Sequence, residues 1–132
     1  MEDIKFLKLI NKQRYEEIKG IYCIKASFNC NDNVFLFSKI IIQTSEFLIF
    51  TAIKDTCEIK IELKSHYTFP TNKKIMEYDK YNGQKVFDVK KCINHMGCYD
   101  QYSIAIGSFN TSFSIICDFL LGIFESNPLI FE

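Results

Sequence analysis

Along most of this chain apolar residues recur at every second position. In residues 57–64, Cys57, Ile59, Ile61 and Leu63 alternate with Glu58, Lys60, Glu62 and Lys64. Such a period puts one side of a strand on a core and the other in water. Similar β-rich runs cover residues 21–28, 34–43, 47–53, 86–93, 101–106, 113–117 and 119–124, and in the first of them Tyr22, Ile24, Ala26 and Phe28 share one side. The linkers Thr44-Ser45-Glu46 and Lys54-Asp55-Thr56 are of hairpin length, so neighbouring strands are expected to pair in sequence order. Near the start, Glu2 and Asp3 precede Ile4, Phe6, Leu7 and Ile10, acids where a helix dipole favours them. A short helix is expected there. The pattern predicts an α+β fold: a mainly antiparallel, twisted sheet of six to eight strands with a short N-terminal helix, in one domain spanning residues 1–132.

Residues 65–84 break the alternation, with Pro70, Gly83, several Asn and Thr, and the aromatics Tyr67, Phe69, Tyr78 and Tyr81. A long irregular segment in a small domain is commonly functional, which makes this the first candidate for a recognition surface. The alternative is a plain surface loop whose Phe69 and Ile75 plug the core.

Charge changes the picture more than composition does. The totals cancel, 16 bases against 16 acids, but residues 64–91 hold seven Lys against three acids, whereas residues 92–132 hold four acids and no base. That asymmetry bears on partners rather than on fold. Uncharged runs at 92–99 and 101–117 are too short or too interrupted by polar residues for a membrane helix, so no membrane partner is expected. The opening Met1-Glu2-Asp3 carries acids where an export signal carries bases, and the expected location is the cytoplasm. In that reducing compartment Cys23, Cys30, Cys57, Cys92, Cys98 and Cys117 are expected to be free thiols, several of them buried.

One short stretch, residues 92–100, reads CINHMGCYD and places Cys92, His95 and Cys98 at even spacing. Zinc needs four converging ligands, and structural sites normally pair two knuckles, of which this chain has one. A Cys98–His95 nucleophilic pair is the thiol-enzyme form of the same idea, although side chains three apart on a turn rarely align as nucleophile and base. Between two strands, Asn94-His95-Met96-Gly97 equally suits a tight hairpin with Gly97 at positive φ. No cofactor is expected: the five Gly build neither a dinucleotide fingerprint nor a phosphate loop. The lysines and tyrosines of residues 73–91 are diluted by Glu77, Asp79 and Asp88, and no nucleic-acid partner is expected.

The entry Ile18-Lys19-Gly20-Ile21-Tyr22, a strand meander, and then Asn94, Gly97 and Asp100 resemble small bacterial domains carrying an N-x-x-G-Y-x-D turn, with Cys98 where that pattern has Tyr. Such domains look like immunity proteins of contact-dependent or polymorphic toxin systems. The resemblance implies a non-catalytic, cytoplasmic protein-binding module whose partner is a cognate protein toxin. For a nuclease toxin, an acidic inhibitor surface would be complementary, and residues 92–132 supply Asp100, Asp118 and Glu125. Tyr99 and Tyr102 could add aromatic anchors. The expected partner-binding residues are therefore Tyr99, Asp100, Tyr102, Asp118 and Glu125. The competing readings are a zinc- or thiol-dependent enzyme centred on Cys92, His95 and Cys98, and a structural or regulatory sheet domain; inward packing of Tyr102 with Ile104 and Ile106 is the alternative for that ring.

Overall fold

The computed structural model describes residues 8–9, 11–25, 37–53, 58–92, 101–108, 110–118 and 120–125. Among them lie nine strands: β1 Gly20–Lys25, β2 Phe37–Gln43, β3 Phe47–Ile53, β4 Glu58–Lys64, β5 Ile75–Glu77, β6 Val86–Cys92, β7 Gln101–Ile106, β8 Thr111–Asp118 and β9 Leu120–Glu125. Each strand-like run of the sequence forms a strand, and every pairing is antiparallel. The ninth strand is β5, three residues long, inside the segment that reads as irregular. Of the expected N-terminal helix, Lys8, Leu9 and Asn11 to Gln13 are helical. Residues 1–7 lie outside the described set.

Neighbours in sequence pair as hairpin-length linkers require, giving β1–β2–β3–β4 and β6–β7–β8–β9. Two further contacts join these halves. Phe37 of β2 pairs with Leu121 of β9. On the other side, Glu17 bridges to Lys85, and Tyr15 and Ile18 donate backbone N–H to the carbonyls of Val86 at 2.6 Å and Gln84 at 2.8 Å. The sheet thus curls so that both halves face one core.

That core is built from alternate residues of both halves: Ile21 and Cys23 of β1, Phe37, Ile40 and Ile42 of β2, Leu48 and Phe50 of β3, Ile104 of β7, and Phe113, Ile115 and Cys117 of β8. Each large apolar side chain so buried contributes about 1.5–3 kcal/mol. The rings of Phe50 and Tyr102 meet across it with centroids 5.8 Å apart. A 3-10 turn at Asp79–Tyr81 closes one end, with Tyr81 buried and its ring 5.6 Å from that of Phe113.

β4 is paired only with β3 among the described strands, and its outward residues suit an edge. Glu62 sits between Lys60 at 3.8 Å and Lys64 at 3.9 Å, so these charges neutralise one another locally, as the alternation implies. Below the helix end, Gln13 and Thr44 are both buried, and the Thr44 hydroxyl donates to Gln13 Oε1 at 2.7 Å. The chain leaves the helix through Tyr15, whose φ of 67° is left-handed and whose exposed ring stands edge-on to Phe87 at 5.5 Å.

Candidate functional site

The other face of β1–β2–β3 is also apolar. There Ile24, Ile41 and Ile49 are buried as a second cluster, bordered by Tyr22 and Phe47. A sheet apolar on both faces must be covered on both, and residues 65–73 provide the second cover. Leaving β4, the chain turns back over this face and lays Tyr67 and Phe69 on the cluster. Phe69 meets Tyr22 with centroids 5.0 Å apart at 67°, Tyr67 at 5.0 Å and 87°, and Phe47 at 6.4 Å and 75°. These are the edge-to-face arrangements that aromatic quadrupoles favour, each adding about 0.5–1.5 kcal/mol beyond the area buried. The backbone is pinned at its exit, where Lys25 donates N–H to the Lys74 carbonyl at 2.9 Å just before β5 pairs with β1.

Segment 65–84 is therefore held by four rings rather than loose. Phe69 covers the outer face, not the central core; Ile75 is 38% exposed and plugs nothing; Tyr78 and Tyr81 do join the central core. Between residues 67–73 and the strands lies a cleft of about 690 Å³ with Ile24, Ser38 and Lys39 on the strand side. The Lys39 ammonium stands 5.9 Å from the Tyr67 ring centroid, a cation–π placement that holds a flexible side chain at the cleft edge. Ser38 donates its hydroxyl to the Ile24 carbonyl at 3.4 Å. Burial raises the Tyr67 phenol above its ordinary pKa, so it stays a neutral hydroxyl at physiological pH. A smaller space of about 380 Å³ lies beside Lys8, Leu9, Lys12, Glu46 and Leu63.

Of the residues expected to bind a partner, Tyr102, Asp118 and Glu125 lie among the described residues. Tyr102 is 3% exposed and meets Phe50 edge-to-face, so it packs inward with Ile104 and Ile106 and serves the core. Asp118 pairs with Leu120 at the closed end of the β8–β9 hairpin, whereas Glu125 pairs with Phe113 at its open end. Five residues of extended chain, about 17 Å, separate the two ends, beyond the screening length at ordinary salt. Tyr99 and Asp100, with His95 and Cys98, lie outside the described residues, and Cys92 is placed only as the end of β6, opposite Gln101. Among the described residues no group of three or more His, Cys, Asp or Glu could hold a metal ion. Nor does any described helix have the length and apolarity to cross a membrane. Cys23 and Cys117 are buried, and burial pushes the Cys23 thiol up to about 12.

Sequence reasoning singled out segment 65–84 but not what fixes it. The available signal was the period-two run Tyr22, Ile24 opposite Ile21, Cys23: β1 is apolar on both sides, which calls for a second cover. No family model matches this chain, and comparisons with curated proteins and with solved structures likewise find no match.

Proposed function

We propose that this chain is a non-catalytic, cytoplasmic protein-binding module, and that residues 65–73 with the cleft beneath them form its contact surface. One observation carries the reading: an irregular, polar-tipped segment is fixed on a rigid sheet by mutual stacking of Tyr22, Phe47, Tyr67 and Phe69. Thr68, Thr71, Asn72 and Lys73 are left exposed at its outside. A segment already ordered loses little conformational freedom when a partner docks, so more of the contact energy remains as affinity. Binding residues characteristically sit on loops carried by such scaffolds.

The most specific form of the proposal is an immunity protein that binds and neutralises a cognate bacterial toxin. Support comes from the resemblance through Asn94, Gly97 and Asp100. The test is co-expression with the toxic domain of any large secreted protein encoded immediately beside this chain. Restored growth together with a purified one-to-one complex is the expected result. Continued killing with no complex, or growth restored without any physical association, contradicts it.

A further inference from the structure

We propose that the cleft between residues 67–73 and the β1–β2 strands takes a carboxylate-bearing acidic segment of a partner protein, with Lys39 and Lys73 as its cationic contacts. This rests on the reading of that loop as the contact surface. The cleft lining contains two lysines, Lys39 and Lys73, and no acidic residue. Neither lysine has an ion-pair partner among the described residues, whereas Lys60, Lys64 and Lys90 each lie within 4 Å of Glu62 or Asp88. Among the described residues Lys60, Lys64 and Lys90 are therefore paired with carboxylates, and the two cleft lysines are not. Lys74 follows directly and is exposed, adding a further cation beside Lys73.

Other lining groups match a peptide carrying carboxylates. Thr68, Thr71 and Asn72 offer hydroxyl and amide donors at the rim, and Ile24 supplies an apolar floor for side-chain methylenes. A volume of about 690 Å³ suits a few residues of extended chain rather than a whole protein surface. Single-stranded nucleic acid would want the same cations, but it also wants open ring faces on which bases stack. Here the Tyr67 and Phe69 rings are taken up by each other, by Phe47 and by Tyr22, and one face of Tyr67 is held by Lys39. Among the described residues the rings at this cleft are already engaged with one another, so the observations there favour carboxylate over nucleotide.

The probes are a short fluorescein-labelled oligo-glutamate, its oligo-glutamine counterpart and an oligo-deoxythymidylate of equal charge, each titrated into the full chain by fluorescence anisotropy. Oligo-glutamate is expected to bind and oligo-glutamine not to. The Lys39→Gln/Lys73→Gln double variant is expected to weaken binding about tenfold, and the Lys60→Gln/Lys64→Gln control less than about twofold. All these positions are outside the central core, and near-ultraviolet circular dichroism verifies that each variant is folded. Tighter binding of oligo-deoxythymidylate overturns the inference in favour of nucleic acid, and equal losses in the two double variants overturn it in favour of unlocalised attraction. Absence of oligo-glutamate binding overturns it as well. If a toxin partner still depended on Thr68 and Thr71 in that case, the protein-binding reading would stand without it; if oligo-glutamate bound at Lys39 and Lys73 while the toxin ignored the loop, the contact-surface reading alone would fall.

Discussion

The ring of Phe69, from the loop after β4, rests against that of Tyr22 in β1 with centroids 5.0 Å apart and planes at 67°. Through this contact an irregular segment is tied to the sheet. Gly20, two residues earlier on β1, leaves room for the same tyrosine: a Cβ there would stand 2.5 Å from the Tyr22 hydroxyl and 2.7 Å from its ring carbons. A methyl group at Gly20 must therefore displace the outer end of the Tyr22 side chain, whose ring carries Phe69. Phe69→Ala is expected to cost about 1–2 kcal/mol in urea unfolding and to speed amide exchange across residues 66–73. Gly20→Ala should speed exchange in the same residues although it touches none of them, and should add less than its single cost when combined with Phe69→Ala. Unchanged exchange in both variants would show that the loop is held by something other than its rings.

Thr44 and Thr51 predict opposite signs for the same substitution. Thr44 Oγ1 is buried, donates to Gln13 Oε1 at 2.7 Å and accepts from the Glu46 N–H at 3.4 Å. Thr44→Val strands the buried amide oxygen, and a loss of about 1–3 kcal/mol is expected. Thr51 Oγ1 is buried with no hydrogen-bond partner among the described residues. Replacing that hydroxyl by a methyl group of similar shape removes an unpaid desolvation, so Thr51→Val should be neutral or raise stability by up to about 1 kcal/mol. Denaturant midpoints of the two variants beside the parent decide the matter.

Most of the strand content was legible because a half-buried strand writes its period directly into the sequence. The run Cys57 to Lys64 shows this best: Ile59 is buried, Ile61 and Leu63 pack on the core, and Glu58 and Lys60 are exposed. What the period does not contain is long-range pairing. Nothing local in Phe37 or Leu121 says that they meet, and nothing in Glu17 or Lys85 says that they bridge, because those contacts follow from how far the whole sheet curls. The same limit applies to the placement of the expected contact residues. Asp118 and Glu125 are close in a charge count, but a hairpin carries them to opposite ends, and Tyr102 keeps the period of its strand and turns inward. Tyr67 and Phe69 lie in a stretch without alternation, so only the two-sided apolar character of β1 hints at where they go.

Cys23 makes stability depend on alkaline pH. Its thiol is fully buried, and burial raises its pKa from 9.0 to about 12. Between those values the unfolded chain releases a proton that the folded chain keeps, so unfolding becomes progressively more favourable as pH rises. This contribution is intact below pH 9.0 and falls by roughly 1.4 kcal/mol per pH unit above it. A Cys23→Ala variant should show a shallower decline in stability from pH 9 to 11 than the parent, beside its own cavity cost at neutral pH. In the folded parent, Cys23 should resist a thiol reagent at pH 8 and react only on unfolding. Prompt reaction of Cys23 in the native state would contradict its burial.

The account stands or falls on which surface a partner uses. The direct measurement is calorimetric titration of the candidate toxin domain into the parent chain, into Thr68→Glu/Thr71→Glu, which changes only exposed loop positions, and into Asp118→Lys/Glu125→Lys, which changes the two ends of the β8–β9 hairpin. The loop variant is expected to lose at least about tenfold in affinity, since a carboxylate at the cleft rim adds bulk and repels an acidic segment, while the hairpin variant stays within about twofold of the parent. Undiminished affinity in the loop variant, with the loss falling on Asp118 and Glu125 instead, would place the interface on the acidic hairpin and contradict the role assigned to residues 65–73.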